Sequence, residues 1–438
     1  MINVSEATKT AWASELSHKD FKVTVGSTVI GNDDIVANSF SVSESIISSD
    51  SLEFVGCISA KIEFLTAAFN NVNLKGRKIS VQIRADETDW LDVFTGTIDE
   101  SKKEGMRGLK RVVAYDLFYR LSQINVTDWW NALGVTTLIS AFRKFADDHD
   151  VPLNSAAISF VNSQLKCFGG TRRQARELTG LGFLQQVCQI NGCVGYVDGL
   201  GRFGIKYIDA IAQQRLYPAD SLFPSDFIYP SDYDGGSVGV STPIPYYQSL
   251  EYEDYSIKQI SKVTIRNTSD DVGIVYPYSG DNNYIIQGNI FAFDQTGSDL
   301  LEAAEKIFDV VKNANFRPFS GKQMAFPWLE CGDKVTYYDI DDNGNTVEVG
   351  FIIMSRKMSG GQMMWDTFSA EGEQDQRIFI TDLQAQIEDL QNQIEDMQEE
   401  TPSGSLFGLV NVEYTQPIET PTIGGIEESV NGIVTEVT

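Results

Sequence analysis

"LKGRKISVQIRADETDWLDVFTGTIDESKKEGMRGLKRVVAYD", Leu74 to Asp116, and "LECGDKVTYYDIDDNGNTVEVGFIIMSRKMSGGQMMWDTFSAEG", Leu329 to Gly372, decide how this chain is read. Set one above the other, Gly76 meets Gly332, Lys78 meets Lys334, Ile79 meets Val335 and, after a small shift inside a turn, Gly96 meets Gly350. Each stretch gives strand, hairpin loop, strand, glycine turn and strand, and closes on Ala114 or Ala370. The order of apolar runs and turn glycines repeats, not residue identity, and a repeat sets the architecture before any motif does. Two readings compete: a duplicated β domain, or two unrelated meanders that share turn chemistry, which short alternating runs do not separate.

The same alternation extends from Phe21 to about Leu121, in "FKVTV" and "CISAKIEFL", with "GNDD" and "NNVNLKG" supplying turn residues between strands. Residues 1–124 are expected to form a first β domain. At Thr127 the period changes. "GVTTLISAFRKFADDHD" places Leu138, Ile139, Phe142, Phe145 and Ala146 at helical spacing, and "TRRQARELTGLGFLQQVCQING" suggests a second helix interrupted at Gly180 to Gly182. "CVGYVDGLGRFGIKYI" then reads as a hairpin, so residues 125–215 form an α/β insert. The Pro-, Asp- and Tyr-rich stretch 216–250 reads as a connecting loop, and 251–376 as a second β domain carrying one helix. That helix, "SDLLEAAEKIFDVVKNA", is expected to be capped by Ser298 and to bury Leu301, Ala304, Ile307, Phe308 and Val311. The fold class expected is mainly β with an α+β insert: two similar β-barrel-like domains, a small α/β domain between them and a C-terminal coiled coil.

A chain of 438 residues, 42% of them apolar, has material for several cores. No run approaches the eighteen apolar residues of a membrane helix, and "MINVSEATKTAWASELSHKD" lacks a signal peptide's basic and apolar regions, so a soluble cytoplasmic product is expected. The net charge of −27 argues against a general phosphate-binding surface. Twelve of the acidic residues fall in the last 61 positions, after Arg377, where there is no Lys or Arg. Cys57, Cys167, Cys188, Cys193 and Cys331 are scattered in apolar context and read as buried free thiols. With two histidines, His18 and His149, a zinc set is hard to assemble.

Catalytic motifs are missing: there is no G-x-S-x-G, P-loop, H-E-x-x-H or dinucleotide fingerprint, and neither an enzyme nor a cofactor is expected. "GGTRRQARELTGLG" reads as a helix start with a solvated Arg face. "DIDDNG", Asp339 to Gly344, matches the first six positions of an EF-hand loop, but position twelve is Gly350 rather than Glu, and Asn343-Gly344 is a hairpin dipeptide, so a turn is expected. Pairs such as Asp89 with Asp92, or Asp147 with Asp148, arise by chance among 61 acidic residues. Trp129, Trp130 and the Tyr-rich loop could stack on sugars, yet aromatic residues at such positions more often pack a domain boundary.

In "ITDLQAQIEDLQNQIEDMQEE", Ile380, Ile387 and Ile394 take heptad position a, and Leu383, Leu390 and Met397 take position d. Glutamines dominate e and g, which suits a homo-oligomeric coil rather than a charge-matched heteromer. These six residues are the candidate oligomerisation site. About 30 Å of helix is marginal alone, so contacts between preceding domains must assist it. Ile at a with Leu at d leans toward two strands.

Several stretches together resemble a known family: "SVSESIISSDSLEFVGCISAKIEF", "NLKGRKISVQI", "VVAYDLFYRL", "ELTGLGFLQQVCQINGCVGYVDGLGRFGI", "LECGDKVTYYDIDDNG" and "SGGQMMWDTFSAEGE". From about residue 10 to 375, the chain is similar to tail-tip baseplate hub proteins of phages and prophages of Gram-positive bacteria, which are related to contractile-tail hubs and to the N-terminal part of tail-associated lysins. The resemblance implies a homotrimer in the virion tail tip. Two β domains per chain would match a six-fold tail tube and distal tail protein above and three-fold tip or receptor-binding proteins below, with DNA passing along the axis without specific binding. It sets three strands against the two that the heptads favour. Longer family members continue into a peptidoglycan hydrolase or receptor-binding region. Here residues 401–438, Thr-, Gly- and Pro-rich, read as a docking segment or as disorder. Two other functions stay open: a tail-associated hydrolase lacking its lytic domain, and a receptor- or glycan-binding adhesin.

Overall fold

Alternating burial builds the first part of the chain. In the computed structural model, which describes residues 2–371 apart from positions 3, 15, 48–51, 53, 70–71, 105–107, 171–177, 209–240, 267–272 and 341–343, a helix α1 (Glu6–Ala13) precedes the strands. The sequence reading contained no helix there. Ser5 caps it by accepting from the Thr8 N–H at 3.2 Å, and Trp12 anchors it in the core. β1 (Lys19–Val25) buries every second residue, and β2 (Thr28–Ile30), β3 (Phe40–Ile47), β4 (Gly56–Thr66), β5 (Lys78–Ala85), β6 (Leu91–Glu104) and β7 (Leu109–Tyr115) follow. All pair antiparallel in the order β3-β4-β7-β6-β5-β1-β2. The long β6 serves two neighbours, β5 through Leu91 to Thr97 and β7 through Thr97 to Glu104. Register shifts at Val81/Gln82 and Ile98/Glu100 mark bulges, which bend a strand and strengthen its twist.

The insert follows in α2 (Leu117–Ser122), α3 (Thr127–Asn131), β8 (Val135–Thr137), α4 (Leu138–Asp148), β9 (Lys166–Phe168), α5 (Gly180–Gln189), β10 (Val194–Val197) and β11 (Phe203–Lys206). α4 buries Leu138, Ala141, Phe142, Phe145 and Ala146; Ile139 is half-buried, so Ala141 takes its expected place. The glycines Gly180 and Gly182 begin α5 rather than interrupt it: Thr179 Oγ1 accepts the Gly182 N–H at 3.0 Å. The reading of residues 171–177 as a helix start with a solvated Arg face lies outside the described residues. β10 and β11 form the expected hairpin, and β10 also pairs parallel with β4, placing Gly195 beside Cys57.

In the last part come β12 (Thr242–Ile244), β13 (Tyr247–Tyr252), β14 (Lys262–Arg266), β15 (Ile274–Tyr276), β16 (Asn283–Gln287), α6 (Gly297–Val311), β17 (Phe319–Met324), β18 (Lys334–Ile340), β19 (Thr346–Ile352), β20 (Ser355–Gly360) and β21 (Met364–Ala370). β12 and the first four residues of β13 fall inside the stretch read as a loop to residue 250; most of the rest of that stretch lies outside the described residues. α6 is capped by Thr296, not Ser298, and buries Leu300, Ala303, Ala304, Ile307 and Val311. Leu301 and Phe308 are only half-buried: the face that packs inward is centred on Leu300, Ala303, Ala304, Ile307 and Val311. α6 packs on β14 and β15 of a three-stranded sheet ordered β15-β14-β16.

One strand order occurs twice. β13-β17-β21-β20, with β18-β19 in a neighbouring sheet, follows β3-β4-β7-β6-β5 when β20 and β19 stand for the two halves of β6. The registers agree: Ile62 lies opposite Ala114 as Phe319 lies opposite Ala370, and Glu100 opposite Val113 as Ser355 opposite Ser369. β20 then pairs antiparallel with β3, from Ser355 opposite Ser45 to Gly360 opposite Phe40, and joins both groups into one 13-stranded sheet. The molecule is thus mainly β, with large antiparallel sheets and few helices. Among the described residues no helix is long and apolar enough to cross a membrane.

Candidate functional site

Three parts of the chain meet where β3 and β20 pair, and charged side chains are buried there. Arg356 on β20 is 5% exposed and Asp366 on β21 is fully buried. The guanidinium donates from Nε to Asp366 Oδ1 and from Nη2 to Oδ2, each at 3.1 Å, and from Nη2 to the Phe326 carbonyl at 3.2 Å. It also donates to the Leu329 carbonyl. Asp366 Oδ2 accepts the Phe326 N–H at 2.7 Å. Burial alone would weaken the Arg356 charge, but Asp366 beside it outweighs burial, so Arg356 holds its proton more tightly than a free guanidinium does.

Lys206, at the end of β11, ties the insert to this seam. Its Nζ donates to Glu330 Oε2 at 2.7 Å and to the Cys331 carbonyl at 3.2 Å, and lies 3.4 Å from Asp333 Oδ1. Burial opposes the lysine charge and the two carboxylates override it, raising its pKa. Two further carboxyls sit beneath. Glu44 on β3 lies opposite Arg356 in register, its Oε2 is buried without a hydrogen-bond partner, and burial raises its pKa. Asp116 caps α2 and accepts the N–H groups of Ala60 at 2.6 Å and Phe118 at 3.0 Å, yet burial pushes it up to about 7. The charges of the seam are spent mainly on one another and on the main chain. That arrangement fixes how the parts are joined.

The candidate residues fall as follows. Ile380, Leu383, Ile387, Leu390, Ile394 and Met397 lie outside the described residues. The "DIDDNG" stretch joins β18 and β19, which pair from Lys334 opposite Ile352 to Ile340 opposite Thr346, and Gly344 has φ +82. Asp339 accepts from the Tyr252 hydroxyl at 2.6 Å. Trp130 is buried, and Trp129 packs against Phe145, His149 and Phe183 while its Nε1–H donates to Asp148 at 2.8 Å, as domain packing requires. Asp92 accepts from Gln82, and Lys144 pairs with Asp148. All five cysteines are buried; Cys57 and Cys193 touch Cys188, and burial raises the pKa of both. Among the described residues no group of three or more His, Cys, Asp or Glu is placed to hold a metal ion.

The sequence reading missed Lys206, Glu330, Arg356 and Asp366. A signal existed: in "MWDTFSA" Asp366 shares the core parity of Met364, Phe368 and Ala370, where a charge needs a buried partner. The outer limits of the large sheet are β2, three residues long, and β13, six residues long.

No family model and no curated protein matches the chain. Among solved structures it is similar to the 43 kDa tail protein of prophage MuSo2 from Shewanella oneidensis, at 12% identity and a TM-score of 0.47, covering 80% of this chain and 97% of that one. A tail protein from Neisseria meningitidis MC58 is similar at 15% identity and a TM-score of 0.46, covering 81% and 97%. A chain of the phage P2 baseplate, in its activated conformation with Ca, is similar at 9% identity and a TM-score of 0.28, covering 81% and 99%. TM-scores below 0.5 establish neither family nor function.

Proposed function

We propose that this chain is a structural component of a phage tail tip, a homotrimeric hub between a six-fold tail tube and three-fold tip components. The repeated strand order carries the reading: two alike strand groups per chain, in three copies, present six alike positions to a six-fold neighbour. The ordered stretches that resemble tail-tip hubs point the same way. So do the heptads at Ile380 to Met397, which would clamp the copies at their C-terminal ends. On this reading the chain is not an enzyme, residues 401–438 dock the next tip protein, and DNA passes through an axial opening whose acidic wall reduces sticking to phosphates.

Light scattering of the purified full-length chain tests the proposal. A mass of three chains is expected. A chain that stays monomeric at high concentration, or a dimer, would sink it.

A further inference from the structure

Three sulfurs from two parts of the chain meet inside the molecule. Cys57 lies on β4 of the first strand group, Cys188 in the last turn of α5 and Cys193 just before β10, and none of the three is exposed to solvent. Strand register brings them together. β10 pairs parallel with β4 so that Gly195 stands beside Cys57, and facing residues of such a pair turn to the same side of the sheet. A Cβ built on Gly195 would lie 3.2 Å from Cys188 Sγ and 2.8 Å from Phe203 Cε2. The side chain missing at Gly195 is therefore what leaves room for the Cys188 sulfur next to Cys57.

We propose that Cys57 and Cys188 form a modification site: a latent disulfide that staples the insert to the first strand group when a small hydroperoxide oxidises the folded chain. The inference holds for a single chain and does not rest on the ring reading. The thiols of Cys193 and Cys57 both contact the Cys188 sulfur, and these contacts favour its thiolate against burial, whereas burial raises the pKa of the other two. Cys188 is thus the sulfur that attacks. Its thiolate takes one peroxide oxygen, the O–O bond breaks, and the departing hydroxide leaves as water with the proton that the thiol gave up. The Cys57 sulfur then attacks the sulfenic sulfur of Cys188, the S–S bond forms, the S–O bond breaks and a second water leaves. Two thiols lose two electrons and the peroxide gains them.

Cys193 lies against the same sulfur, but its Sγ is also 3.8 Å from the Cys188 main-chain carbonyl, and it remains the third, unbonded thiol. A bond from Cys188 to Cys193 would tie only the end of α5 to the turn after it. The bond to Cys57 closes a loop that holds β5 to β9 and α2 to α4, and cross-links across long loops restrict the unfolded chain most. In reducing surroundings all three stay thiols.

The test uses the full-length folded chain, reduced and then treated with hydrogen peroxide. The chain is next unfolded, its free thiols are alkylated and its peptides are mapped without reduction. Three of the five thiols should remain, with the peptides of Cys57 and Cys188 joined. Cys193→Ala should keep that link, and Cys57→Ala should abolish the loss of thiols. The urea midpoint of the oxidised chain should lie above that of the reduced one and return to it with dithiothreitol. Retention of all five thiols, a Cys188–Cys193 link, or a bond that leaves the urea midpoint unmoved overturns the proposal. The map and midpoint of the unsubstituted chain decide this even where a variant fails to fold.

Discussion

Gly76 and Gly332 hold the same place in two copies of one turn. Their φ angles are +80° and +85°, and their N–H groups donate at 2.7 Å to the carbonyls of Ile98 and Ile353. Each isoleucine returns a bond of 3.0 Å, Ile98 to the Arg77 carbonyl and Ile353 to that of Asp333. Turns with this bonding 256 residues apart are the finest-grained form of the repeated strand order.

Gly76→Ala and Gly332→Ala should therefore destabilise by similar amounts, about 1–2 kcal/mol each, since a Cβ is strained at positive φ. A Cβ at Gly76 would meet nothing within 4 Å, and one at Gly332 only Lys206 Cδ at 3.4 Å, so backbone strain is the whole effect. Urea unfolding of both variants checks this; a cost at one turn alone would show that the turns are not equivalent.

Removing one partner of the buried Arg356–Asp366 pair should be severe. Arg356→Met leaves Asp366 charged and buried, at a cost of about 3–5 kcal/mol, and Asp366→Leu added to it should recover most of the loss. Denaturation of the single and double variants measures the coupling, and two additive losses would contradict the geometry.

Asp116 gives a pH dependence. Its folded pKa is raised to about 7 from an ordinary 3.8, so the folded state binds more protons between those values. Its contribution to stability is greatest below about pH 4, falls as pH rises to about 7 and is level above, with a slope of at most ~1.4 kcal/mol per pH unit. Asp116→Asn should lose that slope and cost about 1–3 kcal/mol, because an amide cannot accept from both Ala60 and Phe118 with its two ends. Stability measured from pH 4 to 8 in both proteins decides it; parallel curves would assign the slope to another group.

Cutting the chain after Gln376 should weaken the trimer without melting the strands. Circular dichroism and light scattering of the shortened chain separate the two effects. Loss of strand signal would make the heptads part of the fold and not a clamp.

Much of this was legible in sequence because backbone constraints are local. Turn glycines such as Gly76 and Gly332, the glycine hairpin between β10 and β11, and the apolar stripe of α4 all declare themselves within a few residues. What stayed hidden was set at a distance. β13 shows no apolar alternation because it is an edge strand with mostly polar outward residues. Ser298 is a good cap on paper, but Thr296, two residues earlier, is the one that accepts the Asp299 N–H, a choice between neighbouring hydroxyl residues that the local sequence does not mark. Lys206 and Glu330 are 124 positions apart in sequence, so their pairing has no local mark. The candidate oligomerisation residues rest on their heptad register alone.

The central claim is that two alike strand groups per chain, in three copies, make a six-fold face. Electron cryo-microscopy of the purified full-length assembly tests it most directly. The account predicts a closed three-fold ring of six similar β lobes. A two-fold particle, or a three-fold one whose two strand groups lie at different radii, would contradict it.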